Sequence, residues 1–232
     1  MTTRYALYFA PLHDRALWSF GCTTIGWDAE AAAAFPPQPP TSALAAGWAE
    51  ATAEPRRYGF HATLKAPFAL AEGTSIDDLL EAAATFAAAP RAIPEVRLET
   101  RVIAGFVALT PAEPSEALGA LAGDCVRTFD RFRAALTPED RARRAPERLS
   151  PRQLGYLDRW GYPFVFEEFR FHMTLTGRLA PKAAEAACLA LASAHGAACG
   201  EGPVEISTLA LFVQSAPDAR FRILSSWPLR NA

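Results

Sequence analysis

From Glu116 to Leu136 the apolar residues Leu118, Leu121, Cys125, Val126, Phe129, Phe132 and Leu136 recur at steps of about three and four. That spacing predicts a helix with one buried stripe. Ser75 to Ala88 opens with Ser75, Asp77 and Asp78 ahead of "LLEAAATFAAA", which predicts a capped amphipathic helix with its carboxylates near the positive end. A third helix is expected from Pro181 to about Ala198, with proline in its tolerated first-turn position. Shorter helices are expected over Leu44 to Ala53 and from Ser150 to Leu157, and the "AEAAAA" stretch before the "PPQPP" of Pro36 to Pro40 also reads as helical. Aromatic and β-branched runs predict strands at Tyr5 to Ala10, Val204 to Gln214 and Arg220 to Trp227, and one or two strands at Arg97 to Leu109 with a bend at Gly105. Strands follow one another without a βαβ rhythm, so the fold class is α+β with largely antiparallel sheets.

At 232 residues the chain can bury a full core, as one large domain or two small lobes. Half the residues are hydrophobic and 21% are charged, which excludes a largely disordered chain. The formal charge of −2 provides no general attraction to nucleic acid or anionic membrane, so any polyanion must be held by a local cluster. Cys22, Cys125, Cys188 and Cys199 are widely spaced and read as buried or spare thiols rather than metal or redox ligands. No apolar run approaches the ~18 residues a membrane span needs. The first residues show no export signal, and a cytoplasmic location is expected.

Against this background one phrase occurs twice. "YGFHATLK" at Tyr58 to Lys65 matches "FRFHMTLT" at Phe169 to Thr176, about half the chain later, and the protein holds only four histidines. Alternate residues of a strand face the same way, so His61, Thr63 and Lys65 should share one face, and Arg170, His172, Thr174 and Thr176 another. If the two strands lie side by side, two imidazoles, several hydroxyls and one or two cations address one cavity. A neutral imidazole can take a proton from an attacking hydroxyl while a protonated one donates to the departing oxygen, and histidine titrates near enough to neutrality for both roles. Thr63 and Thr174, with Lys65 or Arg170, could hold the non-bridging oxygens of a phosphodiester. Such chemistry needs neither metal nor cofactor, and no metal-ligand cluster stands out. Tyr162, in the Trp160-Gly161-Tyr162-Pro163 turn just before the second phrase, is a further candidate for the cleft. His13 and His195 have no partner motif. The arginine-rich stretch Thr137 to Arg152 reads as a solvated connection, because Asp140 and Glu147 interrupt it.

The pair "HATL" and "HMTL" resembles the His-x-Ser/Thr-x motifs of the 2H phosphoesterase superfamily. "YGFHATLKAPF", "LGYLDRWGYPFVFEEFRFHMTLTG" and "RYALYFAP" are similar to a bacterial subgroup of phosphonate-metabolism proteins, over residue 4 to about residue 228. The resemblance implies a single bilobal domain over 1–232, with two mainly antiparallel sheets in pseudo-twofold relation around a central cleft and helices outside. It implies His61 and His172 as the acid/base pair, in an order it leaves open, and Thr63 and Thr174 as phosphate-binding hydroxyls. The expected activity is hydrolysis of a cyclic phosphodiester, with a small sugar phosphate of phosphonate breakdown as the substrate. The alternatives are an RNA or nucleotide 2′,3′-cyclic phosphate and a non-catalytic phosphometabolite-binding protein. The expected partner is therefore a small phosphorylated molecule, with RNA less favoured and no membrane.

Overall fold

The computed structural model describes residues 3–232, to which all counts of elements and contacts apply. In chain order the elements are β1 (Arg4–Phe9), α1 (Arg15–Ile25), β2 (Trp27–Asp28), β3 (Ala33–Ala34), α2 (Trp48–Ala51), α3 (Ala53–Tyr58), β4 (Ala62–Phe68) and α4 (Ile76–Ala88). There follow β5 (Glu95–Val96), β6 (Leu98–Ile103), β7 (Phe106–Pro111), α5 (Glu116–Phe129), α6 (Pro138–Ala142) and α7 (Pro151–Trp160). The chain closes with β8 (Met173–Thr174), α8 (Pro181–Cys199), β9 (Val204–Glu205), β10 (Thr208–Gln214) and β11 (Arg222–Pro228). Seven strands form one sheet in the order β11-β10-β1-β4-β8-β7-β6, and every neighbouring pair in it is antiparallel.

The fold is α+β, as the strand order predicts. The two expected sheets are the two ends of this continuous one: β11-β10-β1-β4 on one side and β8-β7-β6 on the other. They meet at a narrow seam, a single residue pair, Ala62 with Met173. Both side chains are fully buried. Phe60 and Phe171, which precede the two histidines, are also buried, each contributing about 2–3 kcal/mol of apolar burial.

Helices α1, α4, α5 and α8 pack on the face that carries these apolar residues. Gly21 of α1 lies against the ring of Phe60, and α8 packs on α1, β6 and β7. On the other side of that layer α5 covers β4, and Phe86 of α4 meets Phe129 of α5 at 5.4 Å between ring centroids. Cys22 and Cys125 are buried free thiols whose pKa values burial pushes up.

Local chemistry explains the expected helices. Ser75 and Asp78 form a reciprocal capping box at the start of α4, and Ser150 and Gln153 do the same for α7. The predicted bend at Gly105 is a tight turn through Ala104 and Gly105, both at positive φ, joining β6 to β7.

The strand expected over Val204 to Gln214 is split into β9, paired with β5, and β10 in the main sheet, and the helix expected over Leu44 to Ala53 is reduced to α2. Two further predictions need correction. The helix expected to reach Leu136 ends at Phe129. Beyond it Asp130 binds Arg133 Nε at 2.8 Å, and the Ala134 amide donates to the Ala69 carbonyl at 2.8 Å, so the backbone leaves the helix to pair with the segment after β4. The Ala29 to Ala34 stretch is not helical either. The Asp28 carboxylate accepts from the Glu30 and Ala31 amides at 2.8 and 3.0 Å and turns the chain into the β2–β3 hairpin.

The contact at Gly21 makes a testable demand on packing. A Cβ there would lie 2.1 Å from ring carbons of Phe60. Gly21→Ala is expected to lower stability by about 1–3 kcal/mol through overpacking, measured by urea unfolding.

Candidate active site

The register at the seam decides which side chains meet. With Ala62 paired to Met173 in an antiparallel ladder, one step along each strand sets His61 across from Thr174 and Thr63 across from His172. All four lie on the face opposite the buried pair. The two imidazoles are then diagonal neighbours on a single surface, with Cα atoms roughly 7–8 Å apart. They sense each other, for His172 is among the groups that depress the pKa of His61. All four residues are half-buried.

Each ring is oriented in the same way by its own backbone. Nδ1 of His61 lies 2.8 Å from the Gly59 carbonyl oxygen, and Nδ1 of His172 lies 2.8 Å from that of Arg170. A carbonyl only accepts, so Nδ1 carries the proton in both rings and both Nε2 atoms are left as bases. Thr63 Oγ1 is 3.3 Å from Nε2 of His61 and donates to it. Thr174 makes no side-chain hydrogen bond among the described residues.

Burial is the first cause of depressed basicity at both sites. It lowers the pKa of His61 from the usual 6.5 to about 4, partly offset by the Gly59 carbonyl, with the nearby His172 lowering it further. His172 is lowered by burial as well, offset in part by the Arg170 carbonyl. At neutral pH the protein therefore presents two uncharged imidazoles.

The seam register sets His61, His172, Thr63 and Thr174 on one face, but the structure removes Lys65 from the set. β4 carries a bulge: Tyr8 pairs with Thr63 whereas Leu7 pairs with Lys65. The extra residue breaks the alternation and turns Lys65 to the helix side. There it is 3% exposed, and its Nζ donates to Asp130 Oδ1 at 3.1 Å and the Val126 carbonyl at 3.3 Å. The second copy repeats the device. The Leu175 and Thr176 amides both reach the Val107 carbonyl, at 2.9 and 3.2 Å. Thr176, the counterpart of Lys65, is fully buried, where its hydroxyl accepts from the Val107 amide and donates to the Gly177 carbonyl. Arg170 contributes its backbone oxygen to His172, while its side chain is exposed.

Other participants were not evident from the motifs. Tyr8 stacks on His61 with ring centroids 3.7 Å apart and planes 18° from parallel, and Phe106 stands 5.7 Å from the His172 ring. From sequence Tyr8 is one of four tyrosines, with Tyr5, Tyr58 and Tyr162, that could line the cleft but for which core or rim packing is the default, and pairing with Thr63 is what brings it to the site. Burial raises the pKa of Tyr8, and the same residue feels Tyr58, Tyr162, Arg4 and Arg144. Tyr162 is half-buried, packs edge-on against Phe164 at 5.6 Å and carries the Arg144 guanidinium over its ring at 5.1 Å, and no contact among the described residues joins it to either histidine. His195 lies elsewhere, on α8 against Phe20. Among the described residues no cluster of three or more His, Cys, Asp or Glu side chains could hold a metal ion, and no helix is long and apolar enough to cross a membrane.

This is an α+β protein whose two His-x-Thr segments are adjacent at the centre of one sheet. It belongs to the family described as protein of unknown function DUF1045, which residues 63–222 match. It is 38% identical over 227 residues to a protein of Janthinobacterium sp. (strain Marseille) named ribose 1,5-bisphosphate phosphokinase PhnN, a match covering 94% of this chain and 49% of that protein. A protein of the same name from Laribacter hongkongensis (strain HLHK9) is 37% identical over 226 residues, covering 95% of this chain and 50% of the other. The chain thus spans about half the length of these curated relatives. Among solved structures it is similar to E. coli LigT complexed with NADP+, at 14% identity, TM-score 0.45 and 99% coverage of both chains. TT0787 of Thermus thermophilus aligns at 18% identity and TM-score 0.44, covering 100% of this chain and 99% of that one.

The electrostatics predict a signed effect of pH. Because burial keeps His61 neutral, the unfolded chain binds more protons than the folded one between about pH 4 and the ordinary histidine value of 6.5. Folding stability is expected to fall as pH drops through that window, less steeply in His61→Gln. Proton-coupled nitrogen NMR should find both rings neutral and protonated on Nδ1 at pH 7.

Proposed function

We propose that this protein is a phosphoesterase that opens a cyclic phosphodiester with His61 and His172 as its proton-transfer pair, the whole chain acting as one bilobal unit. The observation that carries the reading is the seam register, which aims two identically oriented Nε2 atoms at one surface between two threonine hydroxyls. A binding protein needs donors for phosphate. Two neutral bases are a poor anion site until one is protonated, and they suit proton transfer better.

In the proposed step water attacks phosphorus and gives a proton to Nε2 of His61. The P–O bond of the ring breaks, and the departing oxygen takes a proton from Nε2 of His172, leaving a phosphomonoester. His61 is assigned as the base because Tyr8 closes one of its faces and burial holds it neutral. The proton on His172 is stabilised by the substrate's own negative charge, which raises the pKa of an imidazole beside it. Thr63 and Thr174 hydrogen-bond the non-bridging oxygens as charge builds on them. The chemistry uses these side chains and no metal.

The names of the half-matched relatives support a sugar phosphate as substrate. Hydrolysis of a 1,2-cyclic phosphate on ribose 5-phosphate would release ribose 1,5-bisphosphate, the compound in those names. A nucleoside 2′,3′-cyclic phosphate is the second reading, favoured by the partly exposed ring of Phe106 beside His172, on which a base could stack.

Purified protein treated with chelator is expected to hydrolyse a member of a panel holding both classes. His61→Ala and His172→Ala should each lose about 10²–10⁴-fold in kcat/KM. Its pH profile is expected to be a bell lying below about pH 6.5, because both free-enzyme imidazoles are depressed. With a p-nitrophenyl leaving group, His172→Ala should regain activity and His61→Ala should not. Tight binding of panel members with no turnover of any would overturn the enzymatic reading.

A further inference from the structure

The row of side chains on the histidine face continues past Thr63 onto the neighbouring strand. In the ladder between β1 and β4, Phe9 pairs with Ala62 and Tyr8 pairs with Thr63. Phe9 is on the helix side, 6.0 Å from the ring of Phe171, so Tyr8 rises from the same face as Thr63 and the two imidazoles. There its ring stacks on His61 with centroids 3.7 Å apart, and it also meets Phe212 at 4.9 Å and Phe221 at 6.3 Å. The corresponding place on the other strand pair, opposite Thr174, is taken by Ala108, whose side chain has no donor.

A ring packed in this way leaves its hydroxyl unexplained. Tyr8 is 1% exposed, and a buried phenol ordinarily finds a hydrogen-bond partner, yet this one has none among the described residues. Nor is its oxygen sealed in the core, for the side-chain polar atoms buried without a partner are Trp18 Nε1, Arg91 Nε, Thr100 Oγ1, Thr110 Oγ1 and His195 Nε2. The trace of exposure that Tyr8 keeps is therefore at its oxygen. That oxygen is one bond beyond the rim of a ring lying nearly flat on His61, which sets it at the edge of the surface the imidazoles address. Burial pushes the Tyr8 pKa well above its ordinary value, so the hydroxyl keeps its proton.

We infer that Tyr8 is a further substrate-binding residue, whose hydroxyl donates a hydrogen bond to a non-bridging oxygen of the phosphate group held between His61 and His172. Imidazoles protonated on Nδ1 and bonded there to backbone carbonyls give an entering anion no donor at Nε2. Thr63 gives its proton to Nε2 of His61 at 3.3 Å, which leaves Tyr8 and Thr174 as the hydroxyls of this face free to meet the anion. A donor fixed by its own packing costs no reorganisation when the ligand arrives, and its bond to a charged oxygen is stronger than one between neutral groups. This rests on the proposed placement of the phosphate between the histidines and adds a contact to it.

Titration with inorganic phosphate, standing in for the phosphoryl group, tests the contact without requiring turnover, with the imidazole signals of His61 and His172 followed by NMR. Phosphate is expected to move the signals of both rings in the unmodified chain. Tyr8→Phe keeps the stack and removes only the oxygen, and should weaken the dissociation constant about tenfold, as for loss of a hydrogen bond to a charged group. Tyr156→Phe, which removes an exposed phenol bonded to Glu167, should leave the constant unchanged. Because the Tyr8 hydroxyl has no partner in the chain, Tyr8→Phe should unfold at the same or a higher urea concentration than the unmodified protein. A loss of stability in Tyr8→Phe gives the oxygen a structural role and overturns the inference. So does a constant within about twofold of the unmodified value, or phosphate that moves neither imidazole. Tyr8-dependent binding in a chain that hydrolyses no cyclic diester keeps the inference and removes only the catalytic reading, whereas histidine-dependent hydrolysis and phosphate binding that Tyr8→Phe leaves intact remove only the inference.

Discussion

The arrangement depends on one backbone pairing, Ala62 with Met173. Ladder contact between β4 and β8 is limited to that pair, so the two ends of the sheet are joined where the repeated phrases lie. An antiparallel pair with buried side chains on one face places the flanking residues on the other. A slip of one residue in either strand would carry its histidine into the helix layer and its apolar neighbour to the histidine face. Burial of Ala62, Met173, Phe60 and Phe171 on the helix side resists that slip.

The repetition extends from the histidines to their surroundings. Each imidazole is held through Nδ1 by the carbonyl two residues before it, and each strand is bulged just after the leucine of the phrase. Where the phrases diverge, at Lys65 and Thr176, the bulge has turned the side chain into the interior, so the divergence is absorbed by structural roles. Lys65 ties β4 to the end of α5, and Thr176 ties its own segment to β7.

Burial makes the imidazoles weak bases and so keeps the pair uncharged at neutral pH. In the proposed mechanism a phosphate group would favour protonation of one ring, so that the second proton-transfer group would exist only in the complex. The arginines of the 141–152 stretch carry charge that is largely neutralised by carboxylates, as Arg141 with Asp158 and Arg152 with Glu168 illustrate.

Much of this was legible in residue order. The repeated phrase marked His61, His172, Thr63 and Thr174, and strand parity correctly set their apolar neighbours behind them, because period-two alternation is a local property of extended backbone. Parity failed at Lys65 and Thr176, since a bulge depends on what the partner strand offers. It likewise could not single out Tyr8 from the other tyrosines, because its place at His61 comes from pairing between β1 and β4. Local pattern determined the helices with their caps, the α+β class and the chemistry that two such phrases could support. Tertiary structure alone decided which carboxylate neutralises which arginine, which side of the sheet Lys65 takes and how deeply the imidazoles are buried, because each of these is set by contacts between segments far apart in the chain.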